Sequence, residues 1–272
     1  LDYDINKSPK GGYALLSRSF DNSEIRYIVD SLFSSKSISS KQAAELSNKL
    51  NSCLSKYQRK DYNFIYKSDE INRSTNKELF YTLELIEEAK RRGKRISFQY
   101  LTFDGNGKPY AKMDGYRYIV SPYYSANSNG RYFLICNYRE KYRAITWFRI
   151  DYMINPKIEE EWSIKPVEFL EGVKDFDIAK YLNDNIYLLD GEVIKATFEI
   201  ENPSYVQFII DWFGRNARTY KKDDKLYADI KCNESALFYW YMQYSECVTI
   251  ISPQSLIDRV KAEAERILKK YE

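Results

Sequence analysis

Two segments decide the fold. Gly130-Arg131-Tyr132-Phe133-Leu134-Ile135-Cys136-Asn137-Tyr138 is followed by Arg143-Ala144-Ile145-Thr146-Trp147-Phe148-Arg149-Ile150, and both have the β-branched and aromatic content of strands. Side chains alternate between faces along a strand. In the second segment Ala144, Thr146, Phe148 and Ile150 therefore share one face, suited to a core, while Arg143, Ile145, Trp147 and Arg149 share the other. In the first, Arg131, Phe133, Ile135 and Asn137 oppose Tyr132, Leu134, Cys136 and Tyr138, so both faces are partly apolar, as in a central strand. Two earlier strands, Arg95 to Leu101 and Gly115 to Val120, are set off by turn signals at Asp104-Gly105-Asn106-Gly107 and Ala126-Asn127-Ser128-Asn129-Gly130. Four or five short antiparallel strands in so few residues predict a small β-barrel over residues 93–157.

Outward from the barrel the pattern becomes helical. Toward the N-terminus, residues 1–20 read as a hairpin around Ser8-Pro9-Lys10-Gly11-Gly12, which suits the wing of a winged helix. Residues 21–92 read as a helical connector. Asp21 and Glu24 form a capping-box pattern before a helix with Ile25, Ile28, Val29 and Leu32 on one face. A second helix runs from Ser39 or Ser40 to about Ser55. A third starts after Ser74 or Thr75, with Leu79, Leu83, Ile86 and Ala89 inward, and ends at Gly93. Toward the C-terminus, residues 158–190 form an acidic linker with a short helix from Phe176 to Leu182. Residues 191–272 follow the order β-α-β-β-α-β plus a closing helix, the ferredoxin-like pattern. The fold class is thus α+β and multidomain.

The 272 residues contain no histidine, which excludes His-based acid/base catalysis, Ser-His-Asp and Cys-His arrangements and His metal sites. Four cysteines, Cys53, Cys136, Cys232 and Cys247, form no C-x-x-C pair and read as reduced thiols of a cytoplasmic protein without a bound metal or cofactor. The longest apolar run, Ala236 to Met242, has seven residues, far short of the ~18 that span a bilayer. Leu1 rather than Met reads as a start inside a longer protein. The net charge of +3 conceals an asymmetry: Ile86 to Arg149 holds 13 Lys/Arg against 5 Asp/Glu, while Ile150 to Glu192 holds 4 against 11. Residues 95–149 also carry 14 of the 44 aromatics. Aromatics interleaved with cations suit single-stranded nucleic acid, whose bases stack on rings while cations follow the phosphates; they equally suit a barrel core.

The segment Gly130 to Tyr138 followed by Trp147-Phe148-Arg149-Ile150-Asp151 resembles the core of WYL-domain transcriptional regulators, with Tyr132-Phe133-Leu134 at the place of the family's Trp-Tyr-Leu triplet. Ile96-Ser97-Phe98-Gln99-Tyr100 and Val120-Ser121-Pro122-Tyr123 are similar to its first and second strands, Gly12-Tyr13-Ala14-Leu15 to its wing, and the ferredoxin-like tail to its C-terminal extension. The likeness covers nearly the whole chain. One departure is Tyr152, where the family often places a second Arg. The resemblance implies a bacterial transcription regulator. Its winged helix binds duplex DNA, here through a recognition helix preceding Leu1, and its SH3- or Sm-like WYL barrel senses single-stranded DNA or a nucleotide-like effector. The expected state is a homodimer.

The residues expected to bind are Arg131, Asn137, Arg139, Arg143, Trp147 and Arg149, with Tyr132 from the motif and Tyr123 as a stacking platform. Arg forks grip phosphate oxygens bidentately. The competing reading pairs the arginines with the acidic connector and uses Trp147 to cover a domain joint. A different functional class, a protein-interaction or dimerisation module, finds its feature in Leu237-Phe238-Tyr239-Trp240-Tyr241-Met242, which also suits a packed core helix. An enzyme is not expected: Glu159, Glu160 and Glu161 are consecutive and cannot all face one Mg²⁺ site.

Overall fold

The computed structural model describes residues 5–7, 11, 13–15, 20–54, 73–138, 144–170, 176–189 and 191–272. The chain divides into two units, residues 1–165 and 166–272, and both are α+β.

In the first unit, β1 (Ile5–Lys7) pairs antiparallel with β2 (Tyr13–Leu15). Helix α1 (Asn22–Ser34) opens on the expected capping box: the Asp21 carboxylate accepts from the Glu24 backbone N–H at 2.9 Å, and the Glu24 carboxylate accepts from that of Asp21 at 2.8 Å. Helix α2 (Ser40–Ser52) repeats the device with Ser39 and Gln42. Ile25, Val29 and Leu54 form a small core of their own. Helix α3 (Leu79–Arg91) starts later than its sequence suggests: ahead of it the Asn76 carboxamide accepts from the Glu78 backbone N–H and donates to the Asp151 and Met153 carbonyls, which holds that segment outside the helix. It packs Leu79, Leu85, Ile86 and Ala89 into the sheet core with Ile96, Phe98, Val120, Leu134 and Phe148.

That sheet comprises β3 (Lys94–Phe103), β4 (Pro109–Ala111), β5 (Arg117–Ser128), β6 (Arg131–Asn137), β7 (Thr146–Arg149) and β8 (Met153–Ser163). The order is β4-β3-β5-β6-β7, with β8 on β3. The face assignment from alternation holds at Phe148 and Ile150, which are 9% and 0% exposed, but not at Ala144, which precedes the strand and is exposed, and Thr146 is only half-buried. Closure does not hold: among the described residues β7 pairs only with β6 and β8 only with β3, so the expected barrel is an open sheet. The reason is local. Strand β7 is four residues long, and the chain leaves it through a 3₁₀ turn, Ile150–Tyr152, instead of continuing a ladder toward β8.

Two further differences concern strands. β5 runs on through Ser128, where a turn was expected from Ala126, and the turn shrinks to Asn129-Gly130, both at positive φ (52° and 72°). Two such residues match the twist of a two-residue hairpin. β8 replaces the start of the acidic connector. It pairs Ile158 with Ile96 and Lys157 with Ser97, yet buries only Met153 and Pro156 fully, so backbone pairing holds it and its sequence shows little alternation. Glu160 on this strand is ion-paired with Arg92.

The second unit contains α4 (Ile178–Asp184), β9 (Val193–Ile200), α5 (Val206–Phe213), β10 (Ala217–Lys222), β11 (Lys225–Asn233), α6 (Glu234–Tyr244), β12 (Val248–Ser252) and α7 (Gln254–Leu268). Its antiparallel sheet has the order β10-β11-β9-β12. The apolar run of α6 is core: Leu237 and Trp240 are 0% exposed and Phe238 6%, leaving Tyr239 outward. No described helix is long and apolar enough to cross a membrane.

Candidate functional site: a basic cleft in the first unit

The Asn129-Gly130 turn does more than join two strands. The Gly130 carbonyl accepts from the Lys36 backbone N–H at 3.0 Å and from the Ser37 hydroxyl at 3.2 Å, and the Ser37 hydroxyl accepts from the Tyr132 backbone N–H at 2.8 Å. The loop between α1 and α2 is thereby fastened to the start of β6, and Lys36 comes beside Arg131. The Lys36 carbonyl in turn accepts from the Ser74 backbone N–H at 3.0 Å, which brings in the segment that carries Arg73. Arg73 lies over the Phe33 ring, 5.2 Å from its centroid, and donates to the Phe33 carbonyl.

The opposite wall comes from the end of β3 and from β4. Leu101, Phe103, Gly107 and Pro109 face a cleft of about 450 Å³ that is also lined by Lys36, Arg73, Arg131, Arg149 and Tyr152. Among the described residues neither Lys36 nor Arg131 is in an ion pair. Arg149 is held firmly. Its Nε and Nη2 donate to the two oxygens of Asp151 at 3.1 and 2.6 Å, and its Nη1 donates to the Tyr152 hydroxyl at 2.9 Å. The Asp151 side chain is 0% exposed and that of Arg149 22%. Burial pulls the Arg149 pKa down, but the hydrogen bond and charge of Asp151 outweigh it and the net shift is upward. The Tyr152 ring lies 3.9 Å below the guanidinium and edge-on to Phe103. It continues the apolar wall formed by Leu101, Phe103 and Pro109.

Of the residues expected to bind, the cleft unites Arg131 and Arg149. Asn137 is 3% exposed and its carboxamide donates to the Ala144 carbonyl at 2.9 Å, so the side chain is buried and engaged. Tyr123 is 8% exposed and offers no open ring face. Tyr132 is half-buried against the sheet core, and Trp147 is half-buried opposite Ile135; neither lines the cleft. Arg139 and Arg143 lie outside the described residues. Lys36, Arg73, Asp151, Tyr152 and Phe103 were not foreseen. Only Asp151 carried a usable signal, an acid two residues after Arg149 in the sequence at the start of the acidic connector. Among the described residues no group of three or more His, Cys, Asp or Glu is placed to hold a metal ion.

No family model matches the chain. No curated protein matches it either. Solved structures do align with it. Proteasome accessory factor B/C (PafBC) of Arthrobacter aurescens matches over 97% of this chain and 37% of its own, with 15% identity and a TM-score of 0.32. A CRISPR Cas-related protein matches over 94% of this chain and 75% of its own, with 14% identity and a TM-score of 0.43. The chain thus spans little more than a third of the length of the first.

The wall beside the cleft makes an alkaline prediction. Burial pushes the Tyr100 phenol up to about 12, partly offset by the Arg149 backbone N–H that donates to it at 3.1 Å. In the unfolded chain a tyrosine ionises near ~10. The folded state keeps its proton to higher pH, so the stabilisation is complete below pH ~10 and is lost as pH rises toward about 12. Tyr100→Phe should flatten the decline in stability between those values, read by urea unfolding at stepped alkaline pH. An unchanged slope would show that the Tyr100 phenol is not protected from ionisation.

Proposed function

We propose that the chain is the sensing part of a WYL-type transcriptional regulator and that the cleft of the first unit receives the phosphates of single-stranded nucleic acid or of a nucleotide-like ligand. The observation that carries this reading is that Lys36, Arg73, Arg131 and Arg149 surround one cleft whose single carboxylate among the described residues, Asp151, is already engaged by Arg149. Among the described residues Lys36 and Arg131 are left without a counter-charge at the cleft. Its apolar wall, Leu101, Phe103, Pro109 and Tyr152, suits the face of a base or sugar. A volume of about 450 Å³ lies within the range of small-ligand sites, so a mononucleotide or the end of a strand fits better than continuous duplex.

The motif Gly130 to Asp151 supports the family reading. So does the second unit, whose four-stranded antiparallel order β10-β11-β9-β12 is compatible with a ferredoxin-like extension. In this reading the first hairpin is the wing of a DNA-binding domain, the molecule works as a cytoplasmic homodimer, and it binds its effector without transforming it.

Fluorescence polarisation of labelled single strands, duplexes and nucleotides across a salt series tests the proposal. Binding should weaken steeply as salt rises, with a slope set by the number of phosphates engaged. Arg131→Ala should weaken it about tenfold or more, as expected for a lost charge-assisted hydrogen bond, and should reduce the salt slope. Absence of binding to all three probes at low salt sinks the reading.

A further inference from the structure

The second unit carries a surface that shares no residue with the cleft. One face of its sheet is sealed by Ala196, Phe198, Ile200, Ala228, Ile230 and Val248 against the helices. The alternate residues stand on the other face, and every one is exposed or half-exposed: Lys195, Thr197 and Glu199 on β9, Lys225, Tyr227, Asp229 and Lys231 on β11, Arg218, Tyr220 and Lys222 on β10.

Two features set this face apart from an ordinary solvated one. Tyr220 and Tyr227 are directly opposite in the β10–β11 ladder, and their rings are stacked at 5.7 Å between centroids and 25° between planes. Charge is distributed around them asymmetrically. The acids are occupied: Glu199 is paired with Lys225 at 2.8 Å, and the Asp229 carboxylate accepts from the Thr197 hydroxyl at 2.8 Å and from the Tyr220 hydroxyl at 3.2 Å. Among the described residues Arg218, Lys222 and Lys195 have no ion-pair partner. Arg218 and Lys222 flank the tyrosine pair one step to either side along β10, each opposite a β11 residue of the same face. Fixed aromatic rings between unpaired cations, on an open four-stranded sheet, are what a single strand requires: a base stacks on the ring while the phosphates to either side meet the cations.

We infer that this sheet face is a second contact surface of the chain, for single-stranded nucleic acid. One base stacks on the Tyr220–Tyr227 pair, and the flanking phosphates lie at Arg218 and Lys222. Duplex is excluded, because its bases are stacked on one another and present no face to the rings. An acidic peptide would use the cations and leave the rings idle.

The test uses the full chain and oligothymidylate carrying 5-iodouracil, with photo-crosslinked peptides mapped by mass spectrometry. Crosslinks are expected at Tyr220 or Tyr227, and they should persist in Arg131→Glu, which disables the cleft without touching this face. The paired reversal Arg218→Glu with Lys222→Glu, at two exposed positions outside any ion pair, should weaken binding of the oligonucleotide to Arg131→Glu by at least about tenfold. Tyr227→Phe should bind like the parent and Tyr227→Ala at least about fivefold more weakly. Crosslinks confined to residues 1–165, unchanged affinity after the charge reversal, or equal binding of duplex would each overturn the inference. Failure of the cleft reading has a different signature, namely that Arg131→Glu leaves oligonucleotide affinity and its salt slope unchanged.

Discussion

Asp151→Ala is expected to destabilise the first unit by about 3 kcal/mol, because removing one partner of a buried ion pair leaves the other charge uncompensated. The carboxylate is fully buried and meets Arg149 through both oxygens. The guanidinium retains some access to water, at 22% exposure, which places the expected loss at the low end of the ~3–5 kcal/mol range for such pairs. Urea unfolding followed by tryptophan fluorescence would measure it, and a loss below ~1 kcal/mol would show that solvent screens the pair as it does at a surface. The pairing also governs how the cleft can be probed. Arg149→Ala strands the Asp151 carboxylate and costs stability of the same order, so weaker ligand binding in that variant would mix two causes. In the double variant the two losses should combine to less than their sum, since neither charge is left alone. Arg131, which is in no ion pair among the described residues, reports on ligand contact without this complication.

The strands with strong alternation were legible in the sequence, and so were the faces of Phe148 and Ile150, because a buried face imposes a period of two. The capping box at Asp21 and Glu24 was legible for the same kind of reason, both partners lying within one helical turn. β8 was not. It hydrogen-bonds to β3 along its length but buries few side chains, at Met153 and Pro156, whose spacing of three leaves no period of two to read. Closure of the sheet depended on how the chain turns at Ile150–Tyr152, which composition does not encode. At the cleft, Arg149 could be named because alternation set it opposite the core face of Phe148 and Ile150, and Arg131 because it opens the neighbouring strand of the same basic stretch. Lys36 and Arg73 could not, since they arrive through contacts between residues far apart in sequence, the Lys36 N–H on the Gly130 carbonyl and the Ser74 N–H on the Lys36 carbonyl. For Arg149 the reading that pairs the arginines with the acidic connector describes its contact with Asp151. Its fork is occupied by Asp151, so it contributes charge and shape to the cleft more than a free bidentate grip.

The aromatics between residues 95 and 149 had two uses open to them, core or stacking platform, and Phe98→Ala separates these. Phe98 is 0% exposed, with Phe148 edge-on at 5.1 Å, Tyr118 stacked at 5.8 Å and Tyr100 at 6.4 Å between ring centroids. Tyr138 in turn meets both Tyr118 and Phe148 at 5.2 and 5.9 Å. These rings face one another, which leaves no slot for a base among them. Removing the central ring deletes its burial and leaves a cavity that its neighbours only partly fill, so the expected cost is about 3–5 kcal/mol in urea unfolding. Phe103 provides the contrast. It is 45% exposed and lines the cleft beside Tyr152, so Phe103→Ala should leave stability within ~1 kcal/mol and act on ligand affinity instead. If Phe98→Ala left stability intact while abolishing binding, the ring cluster would have to open to admit a ligand, and the cleft would be the wrong place to look. With stability lost in one variant and affinity in the other, the aromatic excess divides by position. The rings on the inner face of β3, β5 and β7 hold the sheet that carries Arg131 and Arg149, and Phe103 and Tyr152 at its rim meet what those cations attract.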